Sequence, residues 1–158
     1  MQKVGKLMES KNNTKSLSSN DKTILGLIEE IILYDVNGVE KRLLAKIDTG
    51  ANISSIDMSL ATELSLGPII RTKTVVSSHG RSLRPVVGIS IDLAGRKMDG
   101  NFSLYNRSHM TFKVLIGRDV LKHGFLIDPS KNEFKGLSKD QVNALESTND
   151  NTKIAEKK

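Results

Sequence analysis

The stretch richest in chemistry runs Leu43-Leu44-Ala45-Lys46-Ile47-Asp48-Thr49-Gly50-Ala51. An apolar segment delivers an acid directly into a turn of small residues. Gly50 has no Cβ, so the backbone can come close and aim amide groups at the Asp48 carboxylate. Thr49 supplies a hydroxyl that can donate to a neighbouring backbone or to a partner loop. A second copy of the loop, brought near across a two-fold axis, would set two carboxylates side by side. At that separation both cannot ionise, so they share a proton. One then activates a water as general base while the other polarises a carbonyl as general acid. Alone, an aspartate after a strand is an ordinary turn residue, so its surroundings decide.

Those surroundings read as short apolar segments broken by turns, the pattern of an all-β domain. Segments 31–36 and 39–47 flank Asn37-Gly38, a two-residue hairpin signal because both residues tolerate positive φ. Segments 72–76 and 83–93 flank Ser77-Ser78-His79-Gly80-Arg81-Ser82, a small-residue run that predicts a hairpin tip. Ala94-Gly95 turns the chain into 97–105, and 112–116 and 125–128 are further strands. One short helix is predicted over 59–66, capped by Ser59, with Leu60, Ala61 and Leu64 on one face. With only four Phe and two Tyr, the core must be built from Ile, Leu and Val, which favours strands.

A chain of 158 residues has room for one domain with its own core and not for two. Its formal charge of +6 is concentrated toward the ends. Residues 1–22 hold five Lys and two acids, and 135–158 hold five Lys and four acids. The expected organisation is a disordered basic tail over 1–21, the domain over 22–136, and a polar tail over 137–158. In that last tail, Ser138, Val142 and Leu145 allow a short helix over 138–146. No basic stripe interleaved with aromatics marks a nucleic-acid surface. No apolar run reaches signal-peptide or membrane-span length. A cytoplasmic setting, with neither nucleic acid nor membrane as partner, is expected.

Several other chemistries lack their residues. There is no cysteine, which removes disulfides, thiol nucleophiles and cysteine-based metal sites together. His79, His109 and His123 match no usual ligand spacing. There is no His-Glu-x-x-His, no phosphate-binding Gly-x-x-x-x-Gly-Lys and no nucleophile elbow. Neither a metal nor a cofactor is expected.

The order of these features resembles a known family. Asp48-Thr49-Gly50-Ala51 resembles the active-site signature of retropepsin-like aspartic proteases. Val114-Leu115-Ile116-Gly117-Arg118-Asp119-Val120-Leu121 is similar to their apolar-apolar-Gly-Arg segment, which supports the active-site loop and leads into a short helix. Ser77, Ser78, His79 and Gly80 fall between the two motifs, where the family carries its flap. The resemblance covers most of residues 29–128. More narrowly, the chain resembles prokaryotic proteins labelled ATP-dependent zinc proteases, through residues 45–51, 110–118 and 125–130. The genes of these proteins are often associated with ligases that add glutamate to a ribosomal protein.

The resemblance implies a small all-β barrel of the acid-protease type with one or two short helices and one half-site per chain. It implies a homodimer acting on a peptide or protein, Asp48 as the catalytic group, and Asn52, Ile116, Gly117 and Arg118 as supports of the site. One position departs from the viral pattern, because an acid usually stands where this chain has Asn52. An Asn carbonyl still accepts from Arg118, but without charge assistance. Two rival readings share these residues, namely a dimeric module that holds a peptide without cutting it, and a metal-dependent protease.

Overall fold

In a computed structural model of the protein, which describes residues 21–131, the alternation of the sequence becomes the inside and outside of a barrel. In β2 (Ile28–Tyr34) the side chains of Ile31 and Leu33 are fully buried, while Ile32 between them is half-buried and Glu30 just before them points to solvent. β3 (Glu40–Ile47) buries Ala45 and Ile47 in the same way. The long hairpin of β6 (Gly80–Leu93) and β7 (Arg96–Tyr105) turns Val87, Ile89, Ile91, Leu93 and Phe102 inward. This period of two is what a sheet with one covered face requires.

Around the sheet the strands run β2, β3, β8 (Val114–Ile116), β4 (Ser55–Asp57), β7 and β6, and β6 pairs back onto β2. The ring closes with six strands. Ile31, Ile56, Phe102, Val114 and Ile116 fill it, all completely buried. Gly100 leaves space for the Phe102 ring, since a Cβ there would lie 2.7 Å from Phe102 Cε2. β5 (Ile69–Ser77) stands outside the ring and pairs only with β6, from Ile69↔Val87 to Ser77↔Gly80. Separately, β1 (Thr23–Leu25) and β9 (Phe125–Ile127) form a two-stranded parallel pair. The all-β barrel with two short helices is as the sequence implies.

Local details differ from the sequence expectations. The Asn37-Gly38 connection is not a two-residue turn, because Tyr34 pairs with Glu40 and leaves residues 35–39 as the loop. Asp35 is responsible. Its Oδ1 accepts from the amides of Asn37 at 2.7 Å and Val39 at 2.8 Å, drawing the turn one residue earlier, and Gly38 takes the positive φ of 77°. The helix α1 (Met58–Glu63) is capped by Asp57, not Ser59. The Asp57 Oδ2 accepts from the amides of Ser59 and Leu60, so Ser59 is the recipient of the cap. Leu60, Ala61 and Leu64 are buried together, as the spacing predicts. Residues 1–20 of the expected tail over 1–21, and the whole expected tail over 137–158 with its helix over 138–146, lie outside the described residues.

Candidate active site

Asp48 is the first residue after β3, and the strand that steadies it is β8. The two run parallel with Ile47 opposite Ile116, and the Asp48 amide donates to the Ile116 carbonyl at 2.9 Å. The carboxylate is half-buried. Its Oδ1 accepts the Gly50 amide at 2.9 Å, and a Cβ on Gly50 would stand only 3.2 Å from that oxygen. Ala51 closes the turn by donating to the Asp48 carbonyl at 3.3 Å. Thr49 and Gly50 are exposed at the crest of the loop.

The second motif grips this loop from beneath. Gly117 has to be glycine, since a Cβ there would lie 2.8 Å from the Ile53 carbonyl carbon and 2.9 Å from the Ala51 oxygen. The Arg118 amide donates to Ala51 O at 2.8 Å. Arg118 opens helix α2 (Arg118–Leu121), and its guanidinium reaches across the loop. Nη1 donates to the Thr49 carbonyl at 2.9 Å, and Nη2 donates to Asn52 Oδ1. The supporting residues expected from the sequence, Asn52, Ile116, Gly117 and Arg118, are therefore gathered around the Asp48 loop.

One further residue in this assembly, Ser54, was not singled out from the sequence, and its partner is Asp119 of the second motif. Ser54 is fully buried, and its hydroxyl accepts the Gly117 amide at 2.9 Å while donating to Asp119 Oδ1 at 2.8 Å. The same Asp119 oxygen also accepts the Ser54 and Val120 amides, each at 3.0 Å. A Ser beside an acid 65 residues later has no local period or cap signature to reveal it.

Asp48 faces a cleft of about 410 Å³. One wall is the loop, through Gly50, Ala51 and Asn52. The other is the β5–β6 hairpin, through Lys73, Val75, Ser77 and Arg84. The hairpin turns at Ser78-His79, with Gly80 at φ 108°. Of the four flap residues expected from the sequence, Ser77 lines this cleft, while Ser78, His79 and Gly80 form the exposed turn beyond it. A hollow of about 440 Å³ lies elsewhere, on the outer wall of β2 and β3 beside Ile28, Ile32 and Leu44. It contains no part of the Asp48 loop.

The cleft is cationic. Lys73, Arg84 and Arg107 line it against the single carboxylate of Asp48. Arg107 is almost fully buried, with Nε donating to the Phe112 carbonyl at 2.9 Å and Nη1 to the Ser55 hydroxyl at 3.1 Å. Burial pushes its pKa below the usual arginine value and the nearby Arg84 charge adds to that, while Asp57 and Asp48 oppose it. It stays a cation at any physiological pH. Arg84 lies over the Tyr105 ring at 3.8 Å from the centroid, a cation–π contact that fixes its direction. Composition and spacing did not reveal these cations, because they come from three separate elements. Among the described residues no group of three or more His, Asp or Glu could hold a metal ion, and no helix is long and apolar enough to cross a membrane.

A family described as RimB-like, "Retropepsin-like aspartic endopeptidase RimB", matches residues 59–137. The chain belongs to this RimB-like family. The match spans the hairpin, β6, β7 and the Gly117-Arg118 segment and begins after the Asp48 loop, so that loop's part rests on the geometry above. The label of ATP-dependent zinc protease is not confirmed. A Shewanella pealeana protein named "Probable alpha-L-glutamate ligase" is 27% identical over 139 residues, covering 72% of this chain and 30% of that protein. The chain thus spans under a third of that relative's length. Among solved structures, Legionella pneumophila Lpg0085, of unknown function, is 23% identical with a TM-score of 0.49, over 70% of this chain and 95% of that one. EIAV protease bound to the inhibitor HBY-793 is 18% identical with a TM-score of 0.48, over 60% and 84%.

Proposed function

We propose that the protein is an aspartic endopeptidase that works as a homodimer, each subunit giving one Asp48 to a shared carboxylate pair. The observation that carries this reading is the placement of the Asp48 carboxylate, held by the Gly50 amide at 2.9 Å and facing a cleft walled by a hairpin. The family match supports the same class of reaction. The exposed crest of Thr49 and Gly50 is the part of the loop that a second copy would meet.

In the pair, one Asp48 is ionised and the other protonated. The ionised carboxylate takes a proton from a water as its oxygen bonds to the scissile carbonyl carbon. The protonated carboxyl gives its proton to the carbonyl oxygen, producing a neutral gem-diol. Collapse of the diol breaks the C–N bond as the amine nitrogen takes a proton from the protonated carboxyl and a diol hydroxyl gives one to the ionised carboxylate, leaving one proton on the pair. No covalent intermediate forms. The peptide lies extended, held by β-type backbone bonds to the hairpin, with Ser77, Ser78, His79 and Gly80 closing over it.

Lys73, Arg84 and Arg107 make acidic side chains the favoured occupants beside the scissile bond, since three cations face one carboxylate there. The name of the Shewanella relative, a glutamate ligase, accords with a glutamate-rich peptide as substrate. The absence of cysteine accords with a cytoplasmic setting.

The test is digestion of a diverse peptide library from about pH 4 to about pH 8, with wild type and Asp48→Asn, each with and without chelator. Cleavage that disappears in the variant and ignores the chelator is the expected result. A folded, dimeric wild type that binds peptides and cuts none would point to a binding module. Loss of activity on chelation would point to a metal-dependent hydrolase.

A further inference from the structure

We infer that the trough at Asp48 continues past Ile53 into a second, anion-binding subsite, where a peptide carboxylate remote from the scissile bond bridges hairpin strand β5 to helix α2. The inference rests on the peptidase reading and extends it to how the hairpin is held.

A hollow of about 240 Å³ adjoins the cleft, and Ile53 and Lys73 line both. On one side β5 contributes Arg71 and Lys73. On the other, Lys122 follows directly from α2. The carboxylates that line the hollow are already engaged. Asp119 Oδ1 accepts from Ser54 and Val120, and Asp99 Oδ1 accepts the Ser90 hydroxyl at 2.6 Å. Among the described residues no ion pair includes Arg71, Lys73 or Lys122. Three cations therefore border one concavity against the two carboxylates of Asp99 and Asp119, which leaves it net positive. Continuity with the Asp48 cleft makes the bound peptide the source of the balancing negative charge.

The placement has a mechanical consequence. β5 is bonded along one edge only, to β6, whereas α2 is anchored to the barrel through the buried Val120 and Leu121. A carboxylate shared by Arg71 or Lys73 and Lys122 ties the strand that is held on one side to the body that is fixed. A remote acidic residue thus draws the hairpin down toward Asp48. The contact is solvent-exposed, so its strength is that of a screened ion pair and falls with salt.

The experiment uses the full-length Asp48→Asn protein and fluorescein-labelled peptides of Gln and Ala, with a single Glu placed at each position in turn. Binding is followed by anisotropy, and amide hydrogen exchange is measured on the bound complexes. The expected result is two favoured Glu positions, each binding roughly fivefold tighter than Gln. The inner one answers to Arg107→Met. The outer one answers to Arg71→Met and Lys122→Met, both exposed positions. Glu at the outer position also slows exchange of the β5 amides, and a Lys there binds Lys122→Glu better than wild type. The inference is overturned if Glu confers no outer advantage, if Lys122→Met weakens Glu and Gln peptides equally, or if outer Glu binds without protecting β5. Cleavage by wild type without an outer preference would remove the subsite and leave the peptidase. An outer preference without any cleavage by wild type would do the reverse.

Discussion

Ser54 and Asp119 share one oxygen twice, because Asp119 Oδ1 accepts both the Ser54 hydroxyl at 2.8 Å and the Ser54 amide at 3.0 Å. The Ser54 hydroxyl in turn accepts the Gly117 amide, so a buried serine joins the strand after the Asp48 loop to the glycine beneath it. Asp119→Leu leaves two buried Ser54 donors without an acceptor. The expected cost is about 1–3 kcal/mol of stability, measured by urea denaturation. Asp119→Asn keeps an acceptor oxygen and should recover a large part of that loss.

Gly117→Ala places a methyl 2.8 Å from the Ile53 carbonyl carbon and 2.9 Å from Ala51 O. Backbone atoms cannot yield as a side chain does, so the Asp48 loop must shift. We expect a stability loss of about 1–3 kcal/mol and a fall in peptide cleavage at temperatures where the variant is still folded. Unchanged melting would show that the two segments are less tightly joined than the distances imply.

Asn52→Asp gives Arg118 a charged acceptor in place of an amide oxygen. Both residues are exposed, so the gain should not exceed about 1 kcal/mol. Calorimetry should report a small rise in melting temperature, and the rise should shrink when salt is added.

Asp48→Asn should leave the fold intact, since an amide oxygen at the same place still accepts from Gly50, yet it should abolish cleavage. Matched circular dichroism spectra and an absence of cut peptide at every pH are the expected pair of results. Residual turnover in this variant would remove the carboxylate pair from the mechanism.

Arg107→Met removes a buried cation whose charged form is already disfavoured by burial. The Arg107 backbone amide still donates to Asp57 at 2.7 Å, so that link survives the substitution. Cleavage of Glu-containing peptides should fall roughly fivefold relative to Gln-containing ones, a contact of about 1 kcal/mol. Equal losses on both peptides would mean that Arg107 only holds the Phe112–Ser55 region together.

The sequence was most informative where one residue has one local job. Short apolar segments broken by turns located the strands over 31–36, 83–93 and 97–105, and Asp48-Thr49-Gly50 with Gly117-Arg118 named the loop and its brace. β1 and β4 escaped because each is three residues long, and β4 is buried throughout, so there is no alternation to read. The cap of α1 was misassigned because Asp57 and Ser59 are both good cap residues two positions apart. Asp57 prevails because its other oxygen is also held, by the Arg107 amide 50 residues away. The cationic lining of the cleft depends on tertiary placement alone. Lys73, Arg84 and Arg107 come from β5, β6 and a loop, and only the folded chain brings them together.

Because β6 closes directly onto β2, the barrel is complete without β5. The strand that would touch substrate is therefore not among those that hold the molecule together. Val76 and Leu83 on the hairpin are exposed at 69% and 72%, and exchanging such residues disturbs no packed interior. A lineage could rewrite the hairpin to suit a new peptide while the closed ring kept its sequence. Selection on recognition and selection on folding would then fall on different parts of the same chain.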